Sequence, residues 1–265
     1  MQTPAFPRNV VAFAAHPDDT EIFKAGTLVL LAKRGWKVTI CTLTAGGMGG
    51  IGSDEATTIR IREAEARKAA AEIGAEYFCL GGRDGYLYDS AELRMAVLSL
   101  IRRQQAGIIM THLPNDYHAD HRTTCTIVDA AAMLTTLPNC PVAEKPLERT
   151  PLFYHSAPLG LTDPLGNAMP PPQFYIDIGS VEDRKMAMLA HHQSQIDLMR
   201  IMHRMDDFFG EMQKQDRSWG RLAGCEFAEA WWQHLGGGFP KDPLLQTELA
   251  DFLKTPFTGG PNHEP

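Results

Sequence analysis

The sequence lacks the features that would tie a protein to a membrane or to nucleic acid. No stretch of its 265 residues holds about 18 consecutive apolar side chains, so no bilayer-spanning helix is expected. Met1 to Asn9 shows no basic segment followed by an apolar core, so no secretory signal is expected and the chain reads as cytoplasmic. Charge of one sign is never gathered. The 25 basic and 32 acidic residues give a formal charge of −7 without a block of five like charges, which argues against a nucleic-acid or anionic-membrane partner. Cysteine is scarce: Cys41, Cys79, Cys125, Cys140 and Cys225 are odd in number, widely spaced and free of a CxxC pair. They read as reduced, mostly buried thiols.

What is present is an alternating pattern in a chain that is 44% hydrophobic, enough for one large core. Val10 to Ala15 is a short, wholly apolar run of the kind covered on both faces of a sheet. A helix is expected over 21–34, closing at Gly35, and a second strand over 37–44. After a glycine-rich loop at 45–52, Ser53 or Asp54 can cap a long helix ending near Gly74. Strands at 77–80 and 107–111 and helices at 91–105 and 122–134 continue the alternation. The pattern predicts an α/β, Rossmann-like doubly wound, mainly parallel sheet flanked by helices.

Beyond Pro138 the connections become proline-rich. Strands are expected at 152–155 and 174–178, with a long loop between them. Ser180 to Asp183 has the spacing of a capping box, and helical segments are expected from there to about Leu235. The chain is thus read as a single domain over 1–265: an α/β core (8–137), a C-terminal helical and β extension (138–235) and a surface arm (236–265).

Ligands of open α/β sheets bind at the carboxyl ends of the strands. There the first strand runs into His16-Pro17-Asp18-Asp19-Thr20-Glu21, and the fourth into His112-Leu-Pro-Asn-Asp116-Tyr-His118-Ala-Asp120-His121. Each loop combines imidazole with carboxylate, and together they can supply three ligands to a catalytic zinc while leaving a position for water. The plainer alternatives are that Asp18, Asp19 or Thr20 caps a helix, and that His118 and His121 are solvated.

Ala15-His16-Pro17-Asp18-Asp19 resembles the AHPDD signature of the LmbE-like, or PIG-L, deacetylases, and His118-Ala119-Asp120-His121 resembles their HxDH signature. Thr20 departs from the family's usual acid directly after the second Asp, so Glu21 is left out of the catalytic set. The Arg62-Glu-Ala-Glu65 helix and His192-Gln-Ser194-Gln195 are similar to two further family elements. The resemblance implies one Zn2+ per chain, or another divalent metal, on His16, Asp19 and His121, with Asp18 as general base. It makes His118 the oxyanion donor with Asp120 behind it, although Asp120 can equally orient His121. Arg62, with Arg60 as rival, and His192 are candidates for substrate binding.

The implied reaction is removal of an acetyl group from the amide nitrogen of an N-acetylglucosamine-type sugar or glycoconjugate. The alternatives are an amidase of larger thiol-sugar or other amide conjugates and, more distantly, a non-catalytic nucleotide-binding module. The resemblance also allows a homo-oligomer. Asp116 is explained more cheaply as a turn residue. Gly46 to Gly50 follows the second strand without a GxGxxG register and reads as a flexible substrate loop. Trp231-Trp232 is read as packing of a terminal helix or as a subunit interface, and the methionines from 186 to 205 as core or interface.

Overall fold

The computed structural model describes residues 5–256. Its first strand, β1 (Asn9–Ala14), is the apolar run, and alternate side chains go to opposite layers: Val10 and Ala12 to one core, Val11 and Phe13 to the other. Around it stand β2 (Lys37–Thr44), β3 (Glu76–Gly82), β4 (Ile108–Thr111), β5 (Leu152–Ser156), β6 (Phe174–Asp177), β7 (Ala228–Gln233) and β8 (Leu253–Lys254). The sheet order is β3-β2-β1-β4-β5-β7-β6-β8. The first five strands in that order are parallel and the remaining pairings antiparallel.

One face is covered by α2 (Ala25–Lys33), α3 (Glu55–Ala71) and α6 (Glu182–Leu189), and the other by α4 (Ala91–Arg103) and α5 (Ala119–Met133). This is the expected doubly wound α/β architecture, widened by antiparallel strands into a mixed sheet. The chain winds outward from β1 to β3, then returns to place β4 on the other side of β1. That reversal opens a crevice at the carboxyl ends of β1 and β4.

Four local expectations fail for tertiary reasons. The single helix over 21–34 is two, α1 (Asp19–Phe23) and α2, broken at Lys24, where φ is −141°. The amides freed by the break, Gly26 N and Thr27 N, donate to the two carboxylate oxygens of Glu229 on β7, each at 2.8 Å. Ser180 makes no capping box: Val181 stands at the N-cap of α6 without a side-chain cap, and Asp177 accepts from Gly179 N instead. The chain around Trp231 is strand, not helix. α8 (Phe208–Ala223) ends at Gly224, whose φ of 72° suits the left-handed turn, and β7 then slots between β5 and β6 with Trp231 fully buried and bonded to Thr27 Oγ1.

Finally, the segment from Gly236 is no loose arm over its described length. Leu245 and Leu249 are fully buried, and β8 pairs with β6. The rest of that expected arm, 257–265, lies outside the described residues.

Glu229 also accepts from Lys185 Nζ at 3.0 Å, and Lys185 reaches Asp216 at 2.8 Å, all three being almost fully buried. Burial pushes the Asp216 carboxyl up to about 7 and Lys185 opposes it. Stripping the cation from such a cluster leaves buried carboxylates uncompensated. Lys185→Met is therefore expected to lose about 3–5 kcal/mol of stability, read by urea denaturation, and an unchanged midpoint would contradict this account of the α2 N-terminus.

Candidate active site and metal centre

β1 and β4 are adjacent and in parallel register, Val10 beside Ile108 and Ala12 beside Met110, so the loops that leave them meet. The first loop turns sharply at Asp18, whose φ of 100° is costly for a residue with a side chain and typical of functional turns. The turn lets Asp19 Oδ2 accept from the backbone N–H of His16 at 2.8 Å. The second loop enters α5, whose N-cap is His118; its Nδ1 accepts from Asp120 N at 3.1 Å. α5 therefore begins at Ala119, three residues before the expected start at Arg122, and its first turn presents His121 to the first loop.

The Asp19 carboxylate lies between two imidazoles. Oδ2 is 3.3 Å from His16 Nδ1, and Oδ1 is 3.2 Å from His121 Nε2. Burial resists the charge of this carboxylate, but His121, His112 and His16 outweigh it and hold Asp19 well below the usual range. Burial likewise disfavours charge on both rings. His16 is nonetheless raised by Asp120, Asp19 and Asp84, and His121 reaches about 9 through Asp19 and Asp116.

Among the described residues, three overlapping sets of side chains can hold a metal ion: His16, His118 and His121; Asp19, His112 and His121; and His16, Asp84 and Asp120. Of the ligands expected from sequence, His16 and His121 share the first set and Asp19 and His121 the second, while no set contains His16, Asp19 and His121 together. Two imidazoles on one buried carboxylate suit a divalent cation, which would satisfy all three groups without the protons that the rings otherwise need.

Asp18 is buried beside Asp19 and is absent from all three sets. Burial pushes its carboxyl up to about 6, with Arg62 opposing. Arg62 is buried as well and spends its guanidinium on this turn: Nη2 donates to Pro17 O at 2.7 Å and to Asp18 Oδ1 at 3.3 Å, and Nη1 to Gly46 O at 3.0 Å. Arg60, the rival candidate, is exposed, bonded to Thr57 and outside the cleft lining. Gly46, in the left-handed region at φ 67°, has the guanidinium where a Cβ would stand, 2.1 Å from Nη1. That end of the glycine-rich loop is clamped rather than flexible.

Two expected partnerships are rearranged. The Asp120 carboxylate supports neither the His118 nor the His121 ring. It lies 3.2 Å from His16 Nε2 and accepts from Gly85 N at 2.8 Å. The residue behind His121 is Asp116, 3.0 Å from Nδ1, which also accepts from His118 N at 2.9 Å. Its sequence signal was its place five residues before His121, outweighed by the turn reading. Burial, His121 and His16 lower His118 from its ordinary value. His192 is buried 3.2 Å from Glu21 Oε2 and does not line the cleft.

Two residues went unread. His112 stacks on His121 at 3.9 Å between centroids and accepts from Ala15 N, while burial lowers it to about 3. Asp84, in the loop after β3, lies 3.2 Å from His16 Nε2 and accepts from Met48 N. No motif spacing marks it. A cleft of about 250 Å3 opens over these groups, lined by His16, Asp18, Asp19, Arg62, His118 and His121 and walled on its far side by apolar residues.

Residues 11–132 match the family model PIG-L, GlcNAc-PI de-N-acetylase. The chain is 27% identical over 194 residues to diacetylchitobiose deacetylase of Thermococcus kodakarensis, covering 71% of this chain and 70% of that protein. The fold is shared with N,N'-diacetylchitobiose deacetylase from Pyrococcus horikoshii, at a TM-score of 0.72 and 21% identity over 89% of this chain and 88% of that one. It is shared equally with GalB, the 4-carboxy-2-hydroxymuconate hydratase from Pseudomonas putida KT2440, at 0.69 and 20% over 88% and 97%. The architecture alone therefore does not choose the reaction. The family match covers both the β1 loop and the first turn of α5, so that over these residues the chain is similar to the PIG-L family.

Proposed function

We propose that this protein is a metal-dependent N-deacetylase that hydrolyses the amide of an N-acetylglucosamine-type sugar or glycoconjugate, with zinc as its metal. The observation that carries the reading is the Asp19 carboxylate held between His16 and His121 at the floor of a cleft, with Asp18 and His118 beside them. A nucleotide-binding module would need a glycine loop free to cradle phosphate, whereas Gly46 is filled by Arg62.

His16, Asp19 and His121 would hold the ion, which supplies an acidified water and polarises the acyl carbonyl. Asp18, next in sequence but outside the ligand sets, takes the proton of the attacking water and delivers it to the departing amine. Arg62 fixes that carboxylate from behind, so it is a positioning residue, while His192 lies beside Glu21 outside the cleft lining. His118 carries its proton on Nε2, because Nδ1 accepts from Asp120 N, and donates to the oxygen that gains charge. Asp116 holds His121 in the tautomer that leaves Nε2 free.

Three outcomes are expected. Acetate is released from acetylated amino sugars by the zinc-loaded protein, is lost on chelation and returns with zinc; a metal-loaded protein inactive across that panel would refute the reading. Asp18→Asn keeps its metal while kcat falls by about 10²–10⁴-fold, and undiminished turnover would remove Asp18 from the base role. Asp116→Asn weakens metal affinity by about 10–100-fold, measured by competition with a chelating dye, and unaltered affinity would show that His121 needs no such support.

A further inference from the structure

Glu65 and Ser194 stand in the Arg62 to Glu65 and His192 to Gln195 elements, and neither lines the cleft. They meet where α7 (Gln193–His203) begins. That helix covers the site, with Gln195, Leu198 and Met199 in the cleft lining. The first amides of a helix have no partner within it, and His192, at the N-cap of α7, supplies no side-chain cap. The acceptor comes from α3 instead: Glu65 Oε1 accepts from Ser194 N at 2.9 Å and Oε2 from the Ser194 hydroxyl at 2.5 Å. A carboxylate there also complements the positive end of the helix dipole. Burial adds little, since no residue of α7 is buried and Ile196 and Met199 pack only part-buried beside Leu189, Phe208 and Met212. Fastening is concentrated at the N-terminal end, where His191 also pairs with Glu72 at 3.0 Å and His192 lies beside Glu21. Ile201 and Met202, toward the other end, are exposed.

One turn before Glu65 on α3, Arg62 holds Pro17 O and the Asp18 carboxylate. Its guanidinium and α7 converge on Gly49, where a Cβ would meet Arg62 Nη1 at 3.2 Å, Leu198 Cδ2 at 3.3 Å and Gln195 Oε1 at 3.9 Å. Residues three apart share a helix face, so one rigid element places both the Asp18 turn and the cover above it. We infer that Glu65 is a positioning residue for the amide hydrolysis proposed above: by capping α7 from outside, it keeps the cover seated over the cleft before substrate arrives. Without the cap, part of the binding free energy goes into closing α7 again, and apparent affinity drops by the fraction of molecules in which α7 is closed. The inference rests on that hydrolysis and adds to it a residue that touches no reacting group.

Hydrogen exchange of the zinc-loaded protein and steady-state acetate release test this together. Glu65→Ala is expected to speed exchange of the α7 amides by about tenfold while β1 and α3 keep their protection, and to raise KM by about three- to tenfold with a smaller change in kcat. Glu65→Gln, which keeps an acceptor, is expected to recover most of both. A purely structural role would instead lower the urea midpoint and spread faster exchange through the sheet. Should Glu65→Ala not fold, Ser194→Ala removes one of the two bonds without altering α3, and α7 exchange and KM are read on it. Unchanged α7 exchange, or faster exchange with KM unmoved, overturns the positioning role and leaves the deacetylase reading intact. A zinc-loaded wild type that releases no acetate across the amino-sugar panel defeats that reading, and the role of Glu65 in it, whatever the exchange shows.

Discussion

The site depends on one buried carboxylate that two loops must approach from opposite sides. Asp19 gives up most of its hydration, and its contacts with His16, His121 and His112 offset that cost. Those contacts exist because β1 and β4 run side by side, which in turn follows from the winding reversal at β1. The strained backbone at Asp18 is coupled to the same contact, since the turn is what brings Asp19 back to the His16 amide. The strain is offset by Arg62, which bonds the carbonyl and the carboxylate on either side of it.

A layer behind the floor fixes each ring. Asp116 stands 3.0 Å from His121 Nδ1, Asp120 and Asp84 flank His16, and His112 stacks beneath His121. The two parts of the chain are not separable in this respect. Glu229, from the antiparallel extension, terminates the break between α1 and α2 just beyond the Asp18 turn, so the extension holds the site as well as enlarging the core. Residues 138–254 complete the same sheet and add the α7 and α8 wall over the cleft.

Elements whose pattern is local were legible in the amino-acid order. β1 announces itself as an apolar run covered on both faces, and α3 by Asp54 at its start, which accepts from Thr57 N as a cap should. The AHPDD and HxDH segments were legible because their residue types exceed what a cap or a turn requires. The failures share a cause. The pairing of Asp116 rather than Asp120 with His121 turns on where a helix begins, and helix starts move by a few residues with tertiary partners. β7 contains Ala228, Glu229 and Ala230, which favour helix in isolation, yet a gap between β5 and β6 makes them strand.

By itself the sequence determined the alternation that makes a doubly wound sheet and the residue types at two strand ends, because periodicity and short motifs are carried by neighbouring residues. Tertiary structure alone decided which carboxylate stands behind which histidine, that Arg62 serves the turn, that Asp84 joins the site, and that the C-terminal segment is anchored in the sheet. Each of those depends on a distance between residues far apart in the chain, and such distances follow only from how buried faces pack and how buried charges find partners.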